Sequence, residues 1–377
     1  MNLTPPQPNE LEVSIFGPGF GEGILIHVGQ GKWIAIDSCV DSATQKSVLL
    51  RYLQEIGVDP ATSVELVVAS HWHQDHVRGL HEFLESARNA DFCCSSVLTT
   101  KEFVSLADLA SGSGSKISMG PEELYKCLQT CRARMEATGK LRMKYATVDR
   151  VLWQSAWTTG GDKFSASLNA LSPSDEMTRR SHNFMVNTLA ALKSSALPPS
   201  RILASKPNDV SVALVLTVND RRILLGSDLE EQSDALVGWS AVLETQSASP
   251  PSQMYKVAHH GSASGHHEGV WADLLHNNPL ALLTPFRWGK HRLPNAVDRA
   301  RILAATTRAY ITADPNATAK PPKSQPKVQA MLASAVKNRR LAIGAAGHIR
   351  WRAPLVESNA IGTVELFESA MQLANVV

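Results

Sequence analysis

The chain has 377 residues, with 37 Lys and Arg against 35 Asp and Glu and a hydrophobic fraction of 44%. This composition buries a core and excludes a disordered, collagen-like or coiled-coil chain. The net charge of +2 excludes a strongly basic nucleic-acid binder, although a local basic patch is compatible with it.

The opening segment, MNLTPPQPNELEVSIFG, has neither the basic start nor the apolar run of a signal peptide. No apolar stretch reaches the roughly 20 residues of a membrane helix, so the expected setting is the cytosol with no membrane contact. Leu11 to Phe16 reads as a strand before the glycine-rich loop Gly17 to Gly23. Ile24 to Val28 and Trp33 to Ile36 are β-rich runs joined by Gly29-Gln30-Gly31-Lys32, a hairpin signal, and Asp37 follows directly. Ser42 to Ile56 carries apolar residues at helical spacing and stops at Gly57. Val64 to Ala69 is apolar except for Glu65, which suits a strand buried on both faces. It ends in Ser70-His71-Trp72-His73-Gln74-Asp75-His76, and a helix with Leu80, Phe83 and Leu84 comes next.

The middle is less regular. Ser111 to Ser115 reads as a flexible loop, Pro121 to Ala137 as a helix, Phe164 to Ala170 as a strand, and Arg179 to Ser195 as a helix before the break at Pro198-Pro199. The five cysteines, Cys39, Cys93, Cys94, Cys127 and Cys131, form no disulfide framework. Cys127 and Cys131, four apart, read as packing residues. The strand pattern then restarts: Ser211 to Val218 and Arg222 to Leu225 flank a turn at Asn219-Asp220, and Gly226-Ser227-Asp228 follows. Gln253 to Ala258 runs into His259-His260-Gly261-Ser262, and Leu280 to Leu283, Ala309 to Thr312 and His348 to Arg352 are further strands. Residues 1–355 thus read as one α/β domain. Its halves, about 10–205 and 206–355, suggest two sheets face to face with helices outside. Val356 to Val377 has helical spacing and reads as a helical tail.

Three clusters of metal-ligand residue types stand at strand ends. Residues two apart on an extended segment project to one side, so His71 and His73 can reach one cation and Asp75 and His76 a second. Imidazole with carboxylate suits Zn²⁺, and Mn²⁺ less exclusively. Asp228, at the end of an apolar strand, is either a helix cap or a bridging carboxylate. His259 and His260 are adjacent and point in opposite directions, so one can bind metal while the other serves the substrate.

The order HxHxDH, Gly-Ser-Asp after a strand, then His-His-Gly-Ser resembles the metallo-β-lactamase superfamily. More narrowly, it is similar to the hydrolase domain of ComEC-type competence proteins and their soluble relatives. That group's Leu-Ser-Pro-Ser element matches Leu171 to Ser174, its Asn-x-x-Ser matches Asn208 to Ser211, and its His-Pro-like element matches His291 to Pro294. The resemblance implies an αββα sandwich with a one- or two-ion metal site at one edge. It implies His71 and His73 on the first ion, Asp75, His76 and His259 on the second, and Asp228 between them. Asp37, Asn208 and Ser211 would orient these ligands. The sequence departs from many relatives in the third histidine expected on the first ion. The only middle histidine is His182, and Asn208, a poor zinc ligand, stands near that place.

The implied reaction is hydrolysis by a metal-held hydroxide, with Asp75 receiving a proton and His260 or His291 protonating the leaving group. Arg287-Trp288-Gly289-Lys290-His291-Arg292 concentrates cations around an aromatic, a pattern that pairs with phosphates and stacks a base. Arg287, Trp288, Lys290 and Arg292 are therefore the expected substrate contacts. Arg350-Trp351-Arg352 and the Pro-rich Lys320 to Lys327 are further basic stretches. The favoured expectation is a phosphodiesterase or nuclease acting on DNA or RNA, with a protein partner as an option. Its alternatives are a small-molecule acyl hydrolase for a lactone or thioester, and a binding module with a degenerate site.

Overall fold

The computed structural model describes residues 3–17, 20–111, 119–192, 207–317, 331, 347–356 and 362–376. Within the expected loop and break, residues 112–115 and Pro198-Pro199 lie outside these residues, as does Lys320 to Lys327. Among the described residues the strands are, in chain order, β1 Glu10–Gly17, β2 Gly23–His27, β3 Trp33–Asp37, β4 Val64–Ala69, β5 Asp91–Ser95, β6 Met143–Ala146, β7 Arg150–Thr159, β8 Asp162–Ala170 and β9 Leu214–Val218. They continue as β10 Arg221–Leu225, β11 Ser252–Lys256, β12 Leu275–Leu283, β13 Phe286–Trp288, β14 His291–Leu293, β15 Ala309–Ile311, β16 Gly347–Pro354, β17 Thr363–Phe367 and β18 Met371–Gln372.

Two mixed eight-stranded sheets result, ordered β17-β16-β1-β2-β3-β4-β5-β6 and β18-β15-β12-β11-β10-β9-β8-β7. The fold is the expected αββα arrangement, and alternation along the strands builds it. Leu11, Val13, Ile15, Ile24, Ile26, Leu66 and Val68 face inward and meet Leu168, Leu214, Leu216, Ile223 and Leu225 of the second sheet. The intervening Leu25, Val67 and Ala69 face outward, where Tyr52, Leu53, Phe83 and Leu106 of the helices cover them. The second sheet's outer Val215, Leu224 and Tyr255 pack on Trp239, Val242 and Ile302. Strands such as β4 therefore read as nearly continuous apolar runs, Glu65 excepted, because both of their faces are covered.

The sheets do not divide at residue 205 as expected. β7 and β8 cross into the second sheet, and β16 returns to pair with the whole of β1. The tail is not helical where described: β17 pairs with β16, and β18 pairs with β15. Its apolar spacing fits a helix on paper. The open edges of β16 and β15 offer backbone partners that an isolated short helix would lack.

The basic segment around Trp288 is also ordered, as the hairpin β13–β14. All five cysteines are buried and unpaired with one another. Cys127 and Cys131 sit in the packed layer under the first sheet, and burial pushes the Cys131 thiol up to about 11. No helix among the described residues is long and apolar enough to cross a membrane.

Candidate metal centre

β4 delivers the histidine run to one end of the first sheet. His71 and His73 follow the strand in extended backbone, and the chain then turns into the short helix Gln74–Val77, which carries Asp75 and His76. Nε2 of His71 and Nδ1 of His73 converge to 3.0 Å. Asp75 and His76 face the same centre from the helical turn. Backbone hydrogen bonds fix this turn: Glu22 N–H donates to Asp75 O at 2.7 Å, and Ser38 N–H donates to His76 O at 2.7 Å.

The second sheet brings the remaining groups. Gly226 ends β10 against Ala258, where a Cβ would lie 2.8 Å from the alanine Cβ. That close approach seats the Ser227-Asp228 turn beside the end of β11. Asp228 N–H donates to Ser211 Oγ at 3.1 Å, which ties the backbone of Asp228 to Ser211. Asp228 Oδ2 lies 3.3 Å from His76 Nε2, 3.7 Å from His260 Nε2 and 3.8 Å from His71 Nε2. Asp75 Oδ2 lies 3.2 Å from His260 Nε2.

Asp75, His76, Asp228 and His260 each offer a ligand atom within 4.8 Å of the others, as do His71, His73 and Asp228. Asp228 belongs to both groups. His260, rather than the expected His259, joins Asp75, His76 and Asp228. The turn after β11 explains the exchange. Both histidines adopt left-handed backbone, with φ of 46° and 53°. This swings His260 inward and His259 to the cleft wall, where its Nδ1 meets Glu230 and Ser264 at 2.9 Å. Asn208 stands beside it, with Nδ2 3.4 Å from His259 Nε2. His182 is far from these groups and pairs with Glu102 at 3.4 Å.

Asp37 and Ser227 are left-handed as well, at φ of 59° and 47°. Non-glycine residues in this region cost of order 1–3 kcal/mol each, and such strain concentrates at functional sites.

Buried carboxylates sort the imidazole nitrogens. Asp37 Oδ2 accepts from His76 Nδ1 at 2.7 Å and from Ser70 Oγ at 2.7 Å, while Ser70 Oγ in turn meets His71 Nδ1 at 3.0 Å. His260 Nδ1 lies 3.1 Å from the Thr284 carbonyl, which can only accept. All three rings therefore turn Nε2 toward Asp228.

Sequence reasoning missed Glu22 and Lys256, a fully buried pair at 2.6 Å behind the site. Burial alone would push the Glu22 carboxyl up, but Lys256 and His76 more than offset this and hold it below its usual range. A charged residue closing β11 after Met254-Tyr255, three positions before His259, was the available signal. Burial also opposes ionisation of Asp75 and Asp228, and the neighbouring histidines outweigh it, keeping both carboxyls low. Burial lowers His71 and His73, whereas the three surrounding aspartates outweigh burial and raise His76.

The donor set fits a divalent cation. His76 Nε2 and Asp228 Oδ1 are buried, lack a hydrogen-bond partner and belong to the converging groups. Each such unpaired buried atom costs about 1–3 kcal/mol unless something satisfies it. Imidazole nitrogen with carboxylate oxygen is the ligand chemistry of Zn²⁺ and, less exclusively, Mn²⁺. The neighbouring trio Glu22, Asp37 and His76 is already accounted for by the Asp37 hydrogen bond and the Lys256 ion pair.

A cleft of about 260 Å³ opens over these groups, with Phe20, Trp72, Phe286, Trp288 and Leu293 among its walls. The Phe20 ring centroid lies 5.1 Å from that of Trp288 and 5.8 Å from that of Phe286. Of the four expected substrate contacts, Trp288 alone lines the cleft. Arg287 is turned into the body, donating to Ala317 O at 2.9 Å. Arg292 donates to Gly289 O and His291 O, at 2.8 and 2.9 Å. Lys290 and His291 are exposed and are not among the residues lining the cleft. The hairpin's antiparallel register separates the arginines from the aromatic face: Arg287 pairs with Arg292, while Phe286 pairs with Leu293 and Trp288 with His291.

Residues 17–111 match the family model described as the metallo-beta-lactamase superfamily. No curated protein matches the chain. Among solved structures, the metallo-beta-lactamase fold protein YhfI from Bacillus subtilis is 12% identical, covers 80% of this chain and 95% of its own, and has a TM-score of 0.37. A HARLDQ-motif mutant metallo-beta-lactamase from Cronobacter sakazakii is 14% identical, with 66% and 76% covered and a TM-score of 0.32. AidC, a dizinc quorum-quenching lactonase, is 11% identical, with 55% of each chain covered and a TM-score of 0.30. At TM-scores below 0.5 these likenesses say nothing about activity.

Proposed function

We propose, from the match of residues 17–111 to the metallo-β-lactamase superfamily model, that the chain is a divalent-cation-dependent phosphodiesterase acting on nucleic acid. The observation that carries the hydrolase reading is the sharing of Asp228 by two converging ligand groups from opposite sheets. On this reading His71, His73 and Asp228 hold one cation, and Asp75, His76, Asp228 and His260 hold a second. When bound, such ions make a water nucleophile available near neutral pH and stabilise charge on the substrate.

The chain's own residues do the rest. Asp37 and Ser70 orient His71 and His76. Ser211 holds Asp228 at the bridging position. His259, braced by Glu230, stands on the cleft wall as proton donor to the leaving oxygen, the role first expected of His260 or His291. Phe20, Phe286 and Trp288 close the mouth of the cleft and exclude water around the reacting group. They also offer the flat faces on which an unpaired base stacks, worth about 1–3 kcal/mol per base.

The apolar aromatic lining supports a second reading, hydrolysis of an acyl compound such as a lactone or thioester. The expected phosphate-binding cations are absent from this lining. The two are separated by assaying bis(p-nitrophenyl) phosphate and labelled single- and double-stranded oligonucleotides beside lactones and thioesters. The assays run with Zn²⁺ or Mn²⁺, with Asp228→Ala as control. Metal-dependent cleavage of the phosphodiesters that the variant lacks is expected. Turnover of acyl substrates alone moves the assignment to the second reading.

A further inference from the structure

Glu22 lies at the meeting point of three parts of the second cation group. Its backbone N–H donates to Asp75 O at 2.7 Å. Its carboxylate accepts from Thr284 Oγ1, and that oxygen lies 3.1 Å from His260 Nδ1. Its partner Lys256 donates through Nζ to Ser227 O at 3.3 Å, one residue before Asp228. Glu22 and Lys256 come from the loop before β2 and the end of β11, so the pair also joins the two sheets. Neither side chain reaches the cleft, where the lining contains neither residue. His71 and His73 have no link to the pair among these contacts. Ser70, itself held by Asp37, supports His71, and His71 in turn meets His73.

We propose that Glu22 and Lys256 are positioning residues that tether Asp75 and His260, the ligands belonging to the second group alone, and thereby set cation affinity chiefly at that position, with a smaller effect at the His71–His73 position through the shared Asp228. The inference rests on the cation reading above. The Thr284 carbonyl already forces a proton onto His260 Nδ1. Glu22 adds a fixed hydrogen bond to the Thr284 hydroxyl, so that the hydroxyl oxygen also faces His260 as acceptor. Outer partners of this kind typically change metal affinity by about 10–100-fold.

A single substitution would leave one buried charge uncompensated and unfold the protein for a trivial reason. The test is therefore the double variant Glu22→Gln/Lys256→Met, with metal stoichiometry and affinity read by titration calorimetry and thermal stability read in parallel without metal. The expected result is wild-type-like stability, one cation weakened by about 10–100-fold, and the other weakened clearly less. Both cations bound with wild-type affinity would overturn the proposal, as would equal weakening of both. If the double variant does not fold, Thr284→Val, which deletes only the hydroxyl between Glu22 and His260, is read in the same way. If the wild type takes up no cation, the cation reading itself fails. Solvent exchange of the His260 Nδ1–H proton, read by NMR, then tests the tether alone: slow exchange in the wild type and faster exchange in the variant support it, and equal exchange in both contradicts it.

Discussion

Asp228 is where the chemistry concentrates. One buried carboxylate faces Nε2 of His71, His76 and His260 within 3.8 Å, and one of its own oxygens has no hydrogen-bond partner. Replacing it with alanine removes a ligand from both groups. Asp228→Ala is expected to lower hydrolysis by at least about 100-fold and to reduce bound metal, checked by steady-state rates and metal analysis. Asp37→Asn acts one step further out, since it disturbs the acceptor that holds His71 through Ser70 and His76 directly. An affinity loss of about 10–100-fold is expected by metal titration, with His71 and His73 affected together with His76.

Much of this centre was legible in the sequence. His71, His73, Asp75 and His76 lie within six consecutive positions after a strand, so local geometry alone brings them together. The choice between His259 and His260 was not, because it depends on two consecutive left-handed residues that no side-chain pattern announces. Glu22 was illegible for a different reason: it lies 234 positions from Lys256, and only the packed sheets make them neighbours.

At the scale of elements, two hairpins carry separate predictions. In β2–β3, His27 is buried, donates from Nδ1 to Glu10 O at 2.8 Å and accepts at Nε2 from Gly31 N–H at 3.0 Å. Both ring nitrogens are engaged in the neutral form, and burial lowers the imidazole from 6.5 to about 4. The unfolded chain therefore takes up this proton below about pH 6.5, while the folded chain resists until about pH 4. Its contribution is fully present above pH 6.5 and falls by about 3 kcal/mol as the pH drops to 4. Urea unfolding at pH 7 and pH 5 should show the loss, and His27→Gln should flatten it. In β13–β14, Trp288 is 51% exposed at the cleft mouth. Trp288→Ala should raise KM for single-stranded oligonucleotides about tenfold and leave bis(p-nitrophenyl) phosphate turnover nearly unchanged. Equal effects on both substrates would argue against base stacking. The cationic composition of this hairpin was plain in the sequence. The direction of each side chain was not, because it is set by strand register and by the carbonyls that capture Arg287 and Arg292.

Across the whole molecule, the candidate centre joins the two sheets. His71, His73, Asp75 and His76 follow β4 of the first sheet, while Asp228 and His260 follow β10 and β11 of the second. A cation held by both groups binds the folded state only, so it should stabilise that state by about 4 kcal/mol at 1,000 times its dissociation constant. Chelation should therefore lower the melting temperature by several degrees, and Asp228→Ala should abolish that response. The layered architecture was readable from strand-length apolar runs alternating with helical spacing. The division of strands between sheets was not, since β7, β8 and β16 take their places through long-range pairing. The same holds for the tail, whose apolar spacing matches a helix until the free edges of β16 and β15 draw it into strands. The most direct measurement is the metal content of the wild-type chain after exposure to Zn²⁺ or Mn²⁺ and dialysis, by elemental mass spectrometry. Two cations per chain, with fewer retained by Asp228→Ala, is the predicted result; a chain that retains none would contradict the shared-carboxylate centre and the hydrolytic reading built on it.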